Sequence, residues 1–477
     1  MASVPAAEAG STVSRRSVLK AALLAGAAGA SGLATPGCSR DVEPPGPPVQ
    51  DANGHLVWRN WSGLQHSYPV ERASPDSEAR VAEMLKAAPV PIRPVGAGHS
   101  FTALVPTAGT LVTLDGLTGL VGHDAATRQA TFRAGTRLGD IGPALAAIGQ
   151  EMPNLPDINK QSLGGALGTG THGTGQGFKA LHGDVVALRI ATPKGVIVEC
   201  DATRDSHIFH AARVGLGAFG IVTQVTLQNA ALTRVKKRVE IRKADDVMTA
   251  WPTLVTQHRN VEFFILPFTG LAAVITVDET TEPLHPRGPD VDTEVLMDLK
   301  RLRDWTGFFP PLRRWVAQLA LAGQHAEEAI DEGWKLLSNE RPVRFNEMEY
   351  HLPFDAQMPA LREVVAVIER HRSDVFFPIE ARVIAPDDAW LSPFHGRASG
   401  SIAVHAYYRD EHAFFFELIE PIFRRYEGRP HWGKLNSLKS GDFAPLYPRW
   451  ADACAVRASL DPEGRMLNPY LREVFGA

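Results

Sequence analysis

Two apolar stretches in the second half of the chain each carry two polar side chains, spaced two residues apart. Glu380 and Arg382 lie in Phe-Phe-Pro-Ile-Glu-Ala-Arg-Val-Ile, and His405 and Tyr407 lie in Ile-Ala-Val-His-Ala-Tyr. Side chains two apart in a β-strand share one face, so each pair projects away from its apolar neighbours. The two stretches therefore predict the floor of a polar site, although a surface ion pair on a half-exposed strand is an alternative for Glu380 and Arg382.

Two further residues could contribute chemistry. His99 lies in the turn Gly96-Ala97-Gly98-His99-Ser100, directly after a short apolar run. A histidine held in a turn by a scaffold could be a ligand, a base or a point of covalent attachment, and bonding to the local backbone is the alternative. Lys434, in His431-Trp432-Gly433-Lys434, adds a cation.

A glycine-rich stretch at 160–183 indicates backbone folded closely around a ligand. A flexible linker is the alternative, but apolar, strand-like runs flank the stretch on both sides. Gly168, Gly170 and Gly173 match G-x-G-x-x-G, and a second match ends at Gly220. Neither match has the strand-turn-helix context of a dinucleotide fingerprint, and no phosphate loop of the Walker type is present. The pattern therefore excludes a nicotinamide-binding Rossmann fold.

The elements that must position these residues predict an α+β protein. In 55–232, helices are predicted at 76–88 and 138–148, with strands at 90–95, 110–114, 129–133, 185–191, 196–200 and 221–227. In 233–432, strands are predicted at 235–241, 261–266, 272–277, 376–384 and 401–407, with helices at 361–372 and 414–426 and mostly helical structure over 293–337. Residues 433–477 form a third segment with two short helical pieces.

The N-terminus has the pattern of an export signal. Arg15 and Arg16 precede an Ala/Gly/Leu-rich run over 21–34, which predicts a twin-arginine signal peptide over 1–38, with an N-terminal helix that begins with basic residues as the alternative. The run itself is too short and too rich in small residues to span a membrane. Cys38 lies in a degenerate lipobox and is a candidate for lipidation, and 39–54 reads as a Pro-rich tether. We expect a periplasmic or membrane-tethered protein.

Composition narrows the class of function. The net charge of −4 over 477 residues gives no electrostatic footprint for nucleic acid. Cys200 and Cys454 are the cysteines left after the signal and lie far apart in sequence, so neither a metal site nor a disulfide is expected.

Taken together, the stretches from Trp58 to the C-terminus resemble the FAD-dependent sugar-1,4-lactone oxidases and alditol oxidases, which have the vanillyl-alcohol-oxidase-like fold. The resemblance rests on their order and spacing as well as on the motifs themselves. The matching motifs are Gly96-Ala97-Gly98-His99-Ser100, Gly168-Thr169-Gly170-Thr171-His172-Gly173-Thr174-Gly175, Gly217-Ala218-Phe219-Gly220-Ile221-Val222-Thr223, Glu380-x-Arg382, His405-x-Tyr407 and His431-Trp432-Gly433-Lys434.

The resemblance implies a two-lobed FAD-binding domain over 55–232, a cap (substrate) domain over 233–432, and a C-terminal segment that returns to the FAD domain. It implies a covalent bond from His99 to the flavin 8α-methyl, with His172 fixing the loop around it. The residues expected to hold FAD are Gly96, Ala97, Gly98, His99, Ser100, Gly165, Gly168, Thr169, Gly170, Thr171, His172, Gly173, Gly175, Gly220, Ile221, Val222 and Lys434.

The implied reaction is oxidation of an alcohol group of a sugar lactone or polyol by hydride transfer to flavin N5, with O2 as acceptor giving H2O2. By resemblance, Lys434 and Arg382 are cations near flavin and substrate, Glu380 orients the substrate hydroxyl or Arg382, and His405 is the base. Tyr407 favours a lactone over a polyol. Two alternatives remain: a dehydrogenase that passes electrons to a cytochrome or quinone, and a flavin-fold binding protein that has lost catalysis.

Overall fold

A computed structural model of the protein describes residues 46–288, 292–306, 309–321, 326–339 and 343–477. The predicted signal peptide and the start of the tether lie outside these residues. Within them, three larger sheets and two short two-stranded pairs are formed. No helix in the described residues combines the length and the apolar character needed to cross a bilayer.

The first lobe is built on a small parallel sheet. Its strand order is Glu71–Ala73, Thr110–Thr113, Ile92–Val95. The helix Glu78–Ala87 begins at Ser77, whose side chain accepts a hydrogen bond from the Arg80 amide, and its apolar face buries Val81 and Leu85. This strand and helix arrangement leaves the turn 96–100 projecting from the end of the strand Ile92–Val95.

The second lobe is an antiparallel sheet of five strands. Buried and half-buried positions alternate along Ile221–Gln228, as a strand with one face toward the core requires. The strand order is Ile197–Asp201, Val185–Ala191, Ile221–Gln228, Gln129–Arg133, Leu120–Asp124.

An eight-stranded antiparallel sheet forms the body of the second half of the chain. The helix Phe354–His371 packs on one face through Leu361 and Val364. At Gly400 a Cβ would come within 2.3 Å of the Gln357 side chain, so glycine there lets helix and sheet approach closely. The strand order is Glu327–Glu332, Arg234–Lys243, Leu271–Glu279, Asn260–Leu266, Ile379–Ile384, Ser399–Tyr407, Phe345–Pro353, Arg429–Pro430.

The C-terminal segment packs against the first lobe. The buried Arg93 guanidinium donates to the carbonyls of Met466 (2.5 Å), Leu216 (2.7 Å), Gly217 (2.8 Å) and Leu104 (2.7 Å). One side chain thus joins the end of the chain to the 215–217 turn.

The helices of the described residues are Glu78–Ala87, Leu138–Ala146, Leu163–Thr169, Leu181–Asp184 (3-10), Ser206–Ala212, Ala244–Gln257, Asp292–Thr306, Pro310–Leu321, Gly333–Leu336, Phe354–His371, Phe415–Ile419 (π), Glu420–Arg425, Ser440–Leu446, Trp450–Leu460 and Pro469–Phe475. The short strand pairs are Trp58–Arg59 with His66–Ser67 and Gln150–Glu151 with Ala230–Ala231.

Several sequence predictions are corrected by the structure. The prediction of mostly helical structure over 293–337 is wrong at Glu327–Glu332, which is an edge strand. Opposite charges favour that pairing: Glu328 forms ion pairs with Lys236 and Arg238 on the adjacent strand. The helix predicted at 361–372 begins earlier, at Phe354. The helix predicted at 414–426 contains a π-helical turn, and the strand Phe345–Pro353 was not predicted at all.

Candidate active site

A long cleft runs between the two lobes of the first domain. Backbone lines much of it, so the glycines found there leave room for a ligand. Of the predicted cofactor residues, those that line the cleft are Gly96, Ala97, Gly98, His99, Ser100, Gly165, Gly168, Thr169, Gly220, Ile221 and Val222. Residues absent from the prediction also line it, among them Arg93, Leu114, Asp115, Gly135, Gly164, Leu188 and Gly217.

Two observations show that the cleft fits a phosphate-bearing cofactor. Within the described residues, the backbone N–H groups of residues 97–100 donate no hydrogen bond to the protein, and oriented free amides form anion-binding concavities. At Gly168 a Cβ would find its nearest neighbour 3.9 Å away, at the Leu216 amide. Packing within the protein therefore does not require glycine there, whereas a ligand in the cleft would.

The second half of the glycine-rich stretch lies elsewhere. The Gly175 amide donates to the Val383 carbonyl at 2.7 Å, and a Cβ on Gly173 would lie 2.3 Å from the Leu155 carbonyl oxygen. These glycines allow the stretch to pack against neighbouring backbone and the eight-stranded sheet. Gly170, Thr171, His172, Gly173, Gly175 and Lys434 do not line the cleft.

His99 lies at the end of the cleft nearest the eight-stranded sheet. Its ring is 5.0 Å from that of Trp61, Trp61 is 5.1 Å from Phe345, and Phe345 is 5.1 Å from His405. Burial lowers the pKa of His99 to about 4, so the ring is neutral at physiological pH. Aromatic contacts thus connect the cleft with the polar face of the sheet.

That polar face is produced by strand register. Neighbouring strands place acidic, basic and imidazole side chains in adjacent rows, while Met348, Tyr350 and Val404 project to the opposite, apolar face. Three rows cross the strands: Glu380, Ala403 and Glu349; Arg382, Ser401 and His351; and His405 with Glu347. The two polar pairs seen in the sequence therefore lie on adjacent strands and are buried.

Glu349 is the acceptor at the centre of this face. Its Oε1 accepts hydrogen bonds from Arg382 Nη2 (2.6 Å), Ser401 Oγ (2.5 Å) and His172 Nε2 (3.0 Å). Burial opposes ionisation of the carboxyl, but Arg382 and His172 outweigh it and hold the pKa of Glu349 well below its usual range. Glu349 thus fixes Arg382, and His172 belongs to this network, away from the cleft.

A second carboxylate, Glu347, connects the predicted base with the predicted cation. Lys434 Nζ donates to Glu347 Oε2, and His405 Nε2 lies 3.6 Å from Glu347 Oε1. His405 Nδ1 donates to the Pro378 carbonyl at 3.0 Å, which places the lone pair of the neutral ring on Nε2. Burial lowers the pKa of His405, so this lone pair is available near neutral pH.

Glu380 differs from both of these carboxylates. Burial raises its pKa to about 8 in spite of the nearby Arg382, with Glu262 and Glu349 acting in the same direction as burial. Its Oε1 lies 3.4 Å from Arg382 Nε. At neutral pH Glu380 therefore carries a proton and can donate a hydrogen bond, whereas Glu349 is an acceptor.

Three histidines lie close together beside Glu349. The rings of His172 and His351 are 4.9 Å apart, and that of His431 is 5.8 Å from His172. Burial lowers the pKa of His351 and of His431 well below the usual range. The Gly433 amide donates to His431 Nδ1 at 3.0 Å. The lone pair of Nδ1 is thus used, and the proton of the neutral ring is on Nε2. In this tautomer His431 offers no lone pair to a metal ion.

The sequence prediction missed Glu347, Glu349 and His351. All three lie on the strand Phe345–Pro353, whose sequence Asn-Glu-Met-Glu-Tyr-His-Leu alternates polar and apolar residues. The same period-two pattern that identified Glu380 and Arg382 is thus present here and could have found them.

Comparison with known proteins shows the family to which the chain belongs. Residues 225–474 match the family model for D-arabinono-1,4-lactone oxidase, and residues 71–201 match a FAD binding domain. L-gulono-1,4-lactone dehydrogenase of Mycobacterium tuberculosis is 33% identical over 88% of this chain and 99% of its own length. L-gulonolactone oxidase of Bos taurus (88% and 98%) and alditol oxidase of a Streptomyces species (87% and 98%) are each 28% identical.

The fold also matches that of a solved cholesterol oxidase. Cholesterol oxidase of Brevibacterium sterolicum superposes with a TM-score of 0.70 at 16% identity, over 91% of this chain and all of the other. The expectation of a vanillyl-alcohol-oxidase-type fold, with a two-lobed FAD domain and an α+β cap, is thereby confirmed. The chain belongs to the D-arabinono-1,4-lactone oxidase family and is an FAD-dependent oxidoreductase that acts on alcohol groups.

Proposed function

We propose that the protein oxidises an alcohol group of a sugar 1,4-lactone at the polar face of the eight-stranded sheet. The residues that would hold FAD are those of the cleft, and FAD bound there would accept the hydride from the substrate carbon. The observation that carries the proposal is the arrangement of His405, whose Nδ1 bonds the Pro378 carbonyl and whose Nε2 is left to accept a proton.

Each charged residue then has a distinct task. His405 Nε2 takes the proton of the substrate hydroxyl, and Glu347 stabilises the imidazolium that results. The protonated Glu380 donates a hydrogen bond to a substrate oxygen. Arg382, held by Glu349, and Lys434, held by Glu347, supply fixed positive charge where negative charge develops.

The relatives support a lactone substrate but differ in electron acceptor. We expect O2 as the acceptor, as in the relatives named oxidases. A cytochrome or quinone is the second candidate, favoured by the 33% identity to an L-gulono-1,4-lactone dehydrogenase.

An anaerobic substrate panel tests the reaction. L-gulono-1,4-lactone, D-arabinono-1,4-lactone and an alditol are mixed with the enzyme, and bleaching of the flavin absorbance is followed. We expect the lactones to bleach the flavin fastest, and absence of bleaching by all three would overturn the proposal. Stopped-flow mixing of the reduced enzyme with air-saturated buffer then decides the acceptor, because reoxidation that takes minutes excludes an oxidase.

We also propose that His99 carries the flavin covalently. Its position in the cleft and its neutral ring support this, since attack on the flavin needs the unprotonated imidazole. After acid precipitation the yellow colour should remain in the pellet of the wild-type protein and move to the supernatant for His99→Ala. Colour in the supernatant of both would refute the covalent bond.

Export by the twin-arginine route remains a further proposal, supported by Arg15 and Arg16. The Arg15→Lys/Arg16→Lys variant should accumulate in the cytoplasmic fraction with its flavin bound, whereas the wild type should reach the periplasmic or membrane fraction. Equal distribution of the two would contradict the proposal.

A further inference from the structure

A helical hairpin of the cap domain exposes an unusual number of large apolar side chains. The helices Asp292–Thr306 and Pro310–Leu321 form it. We call the exposed residues the apolar face of the hairpin: Trp305 (53% exposed), Phe309 (54%), Leu312 (36%), Trp315 (61%) and Leu319 (56%). Every exposed tryptophan and phenylalanine in the described part of the chain belongs to this face. Such a concentration of aromatic surface marks an interaction site.

The orientation of the face is fixed by contacts on the other side of the second helix. There Arg313 and Ala317 are buried. The Arg313 guanidinium donates to the carbonyls of Ser373 (2.5 Å) and Val375 (3.0 Å) and lies 4.5 Å from the Phe268 ring centroid. The helix is therefore docked by its polar inner face, and its outward apolar side chains belong to the folded state.

Charge around the apolar face differs from that of the whole protein. The hairpin, 292–321, contains five basic and four acidic residues, a net charge of +1, and the positive charge is concentrated in 300–321, which has five basic residues and one acidic residue, whereas the whole chain carries −4. Arg301 and Arg314 lie on the same two helices, with side chains 62% and 51% exposed. Their ion pairs with Asp298 (2.5 Å) and Glu369 (3.5 Å) are at the surface, where such pairs contribute about 0.2–1 kcal/mol and leave the arginines able to bind a lipid phosphate. Aromatic and leucine side chains on one face with arginines beside them are the pattern of helices that lie in a membrane interface.

We propose that the apolar face of the hairpin docks the enzyme on an anionic lipid bilayer. The short N-terminal segment supports a lipid bilayer as the partner of this face. Seven residues separate Cys38 from Gly46, where the described chain begins, so the eight steps between their Cα atoms span at most about 29 Å. A lipid on Cys38 would therefore hold the folded part against the bilayer. The hairpin also adjoins the polar face, since Lys300 lies 5.8 Å from the Tyr407 ring and Arg303 4.7 Å from that of Phe376.

Vesicle flotation tests this surface. The full chain is used with Cys38→Ser, so that no lipid can be attached. The probe is phosphatidylcholine vesicles with and without phosphatidylglycerol at about one lipid in four, since anionic head groups attract basic residues. We expect flotation with the anionic vesicles. The Trp305→Ser/Trp315→Ser variant should lose at least about tenfold in partition coefficient, because each indole removed was buried in the interface. Arg301→Ser/Arg314→Ser should lose about 30-fold.

The matched control is Val121→Ser/Val196→Ser, which removes exposed apolar side chains elsewhere (48% and 55% exposed). It should float like the parent. Flavin absorbance and melting temperature confirm that each variant is folded. Flotation that is absent for the parent, or equal for the parent and the tryptophan variant, overturns the proposal. A dimer in size-exclusion chromatography that the tryptophan changes abolish, without vesicle binding, would instead assign the face to a second copy of the chain and equally overturn it.

Discussion

Glu349 gives the sharpest test of how the polar face is held together. Glu349→Gln keeps the shape of the side chain but removes the charge that accepts from Arg382, Ser401 and His172. Arg382 would then remain buried without its ionised hydrogen-bond partner, and the carboxyl of Glu380, 3.4 Å away, has a pKa of about 8 in the wild type. Breaking a buried ion pair by removing one partner costs about 3–5 kcal/mol, which corresponds in a chain of this length to a fall in melting temperature of about 3–6 °C.

The same change has a second, independent effect. Glu349 raises the pKa of Glu380, and Arg382 lowers it. Without the charge on Glu349, Glu380 should ionise more easily, so its pKa should fall from about 8. The alkaline limb of the pH profile for anaerobic flavin reduction should therefore move to lower pH.

Differential scanning fluorimetry and stopped-flow absorbance measure the two effects. Glu473→Gln is the matched control, because its pair with Lys439 (3.1 Å) has side chains 62% and 70% exposed; exposed pairs contribute about 0.2–1 kcal/mol. A melting temperature for Glu349→Gln within a degree of that of the control would refute the assigned role. So would an alkaline limb that stays in place or moves upward.

Three further changes test other parts of the site. His405→Asn should slow anaerobic flavin reduction by about 10²–10⁴-fold in stopped-flow measurements while flavin content is kept, because the proton acceptor is lost. Glu380 has a folded pKa raised from 4.5 to about 8, so its stabilising contribution is full below about pH 4.5 and is lost as pH rises through 8. Melting temperatures should accordingly show the wild type losing stability relative to Glu380→Gln between pH 5 and 9; a constant difference would contradict the shift. Gly168→Ala, whose Cβ has space in the protein, should keep the melting temperature of the apoprotein and lower the FAD content per chain measured by absorbance; unchanged FAD content would show that the cleft does not hold the cofactor there.

The local pattern of the sequence was sufficient to predict the strands that carry Glu380, Arg382 and His405. Side chains two residues apart in a strand share a face. The alternation of polar and apolar residues within one strand is therefore enough to identify its polar face. The rows in which those side chains meet Glu347 and Glu349 depend on the register of strands that are far apart in sequence. Register is set by turns and by the burial of one face, so these contacts could not be read from either strand alone.

The role of each glycine was harder to predict from the sequence. Gly168 and Gly173 lie five residues apart in the same stretch, yet one leaves space in the cleft and the other lets the backbone pass Leu155. Both situations require close approach of backbone, and the residue type alone does not distinguish a ligand from a neighbouring segment. The edge strand Glu327–Glu332 was missed for a related reason, since the charges that pair it with Arg234–Lys243 lie about 90 residues earlier.

The Arg93 contacts have a consequence for the order in which the protein can be made. The cleft turn 215–217 is tied through Arg93 to the carbonyl of Met466, 11 residues from the C-terminus. Arg93 is buried, and each acceptor that its guanidinium lacks is costly. Until Met466 has been synthesised, Arg93 has its acceptors at Leu104, Leu216 and Gly217 but lacks the fourth. Chains that end before Met466 should therefore retain less FAD than the full chain, so that cofactor content reports whether this contact has formed.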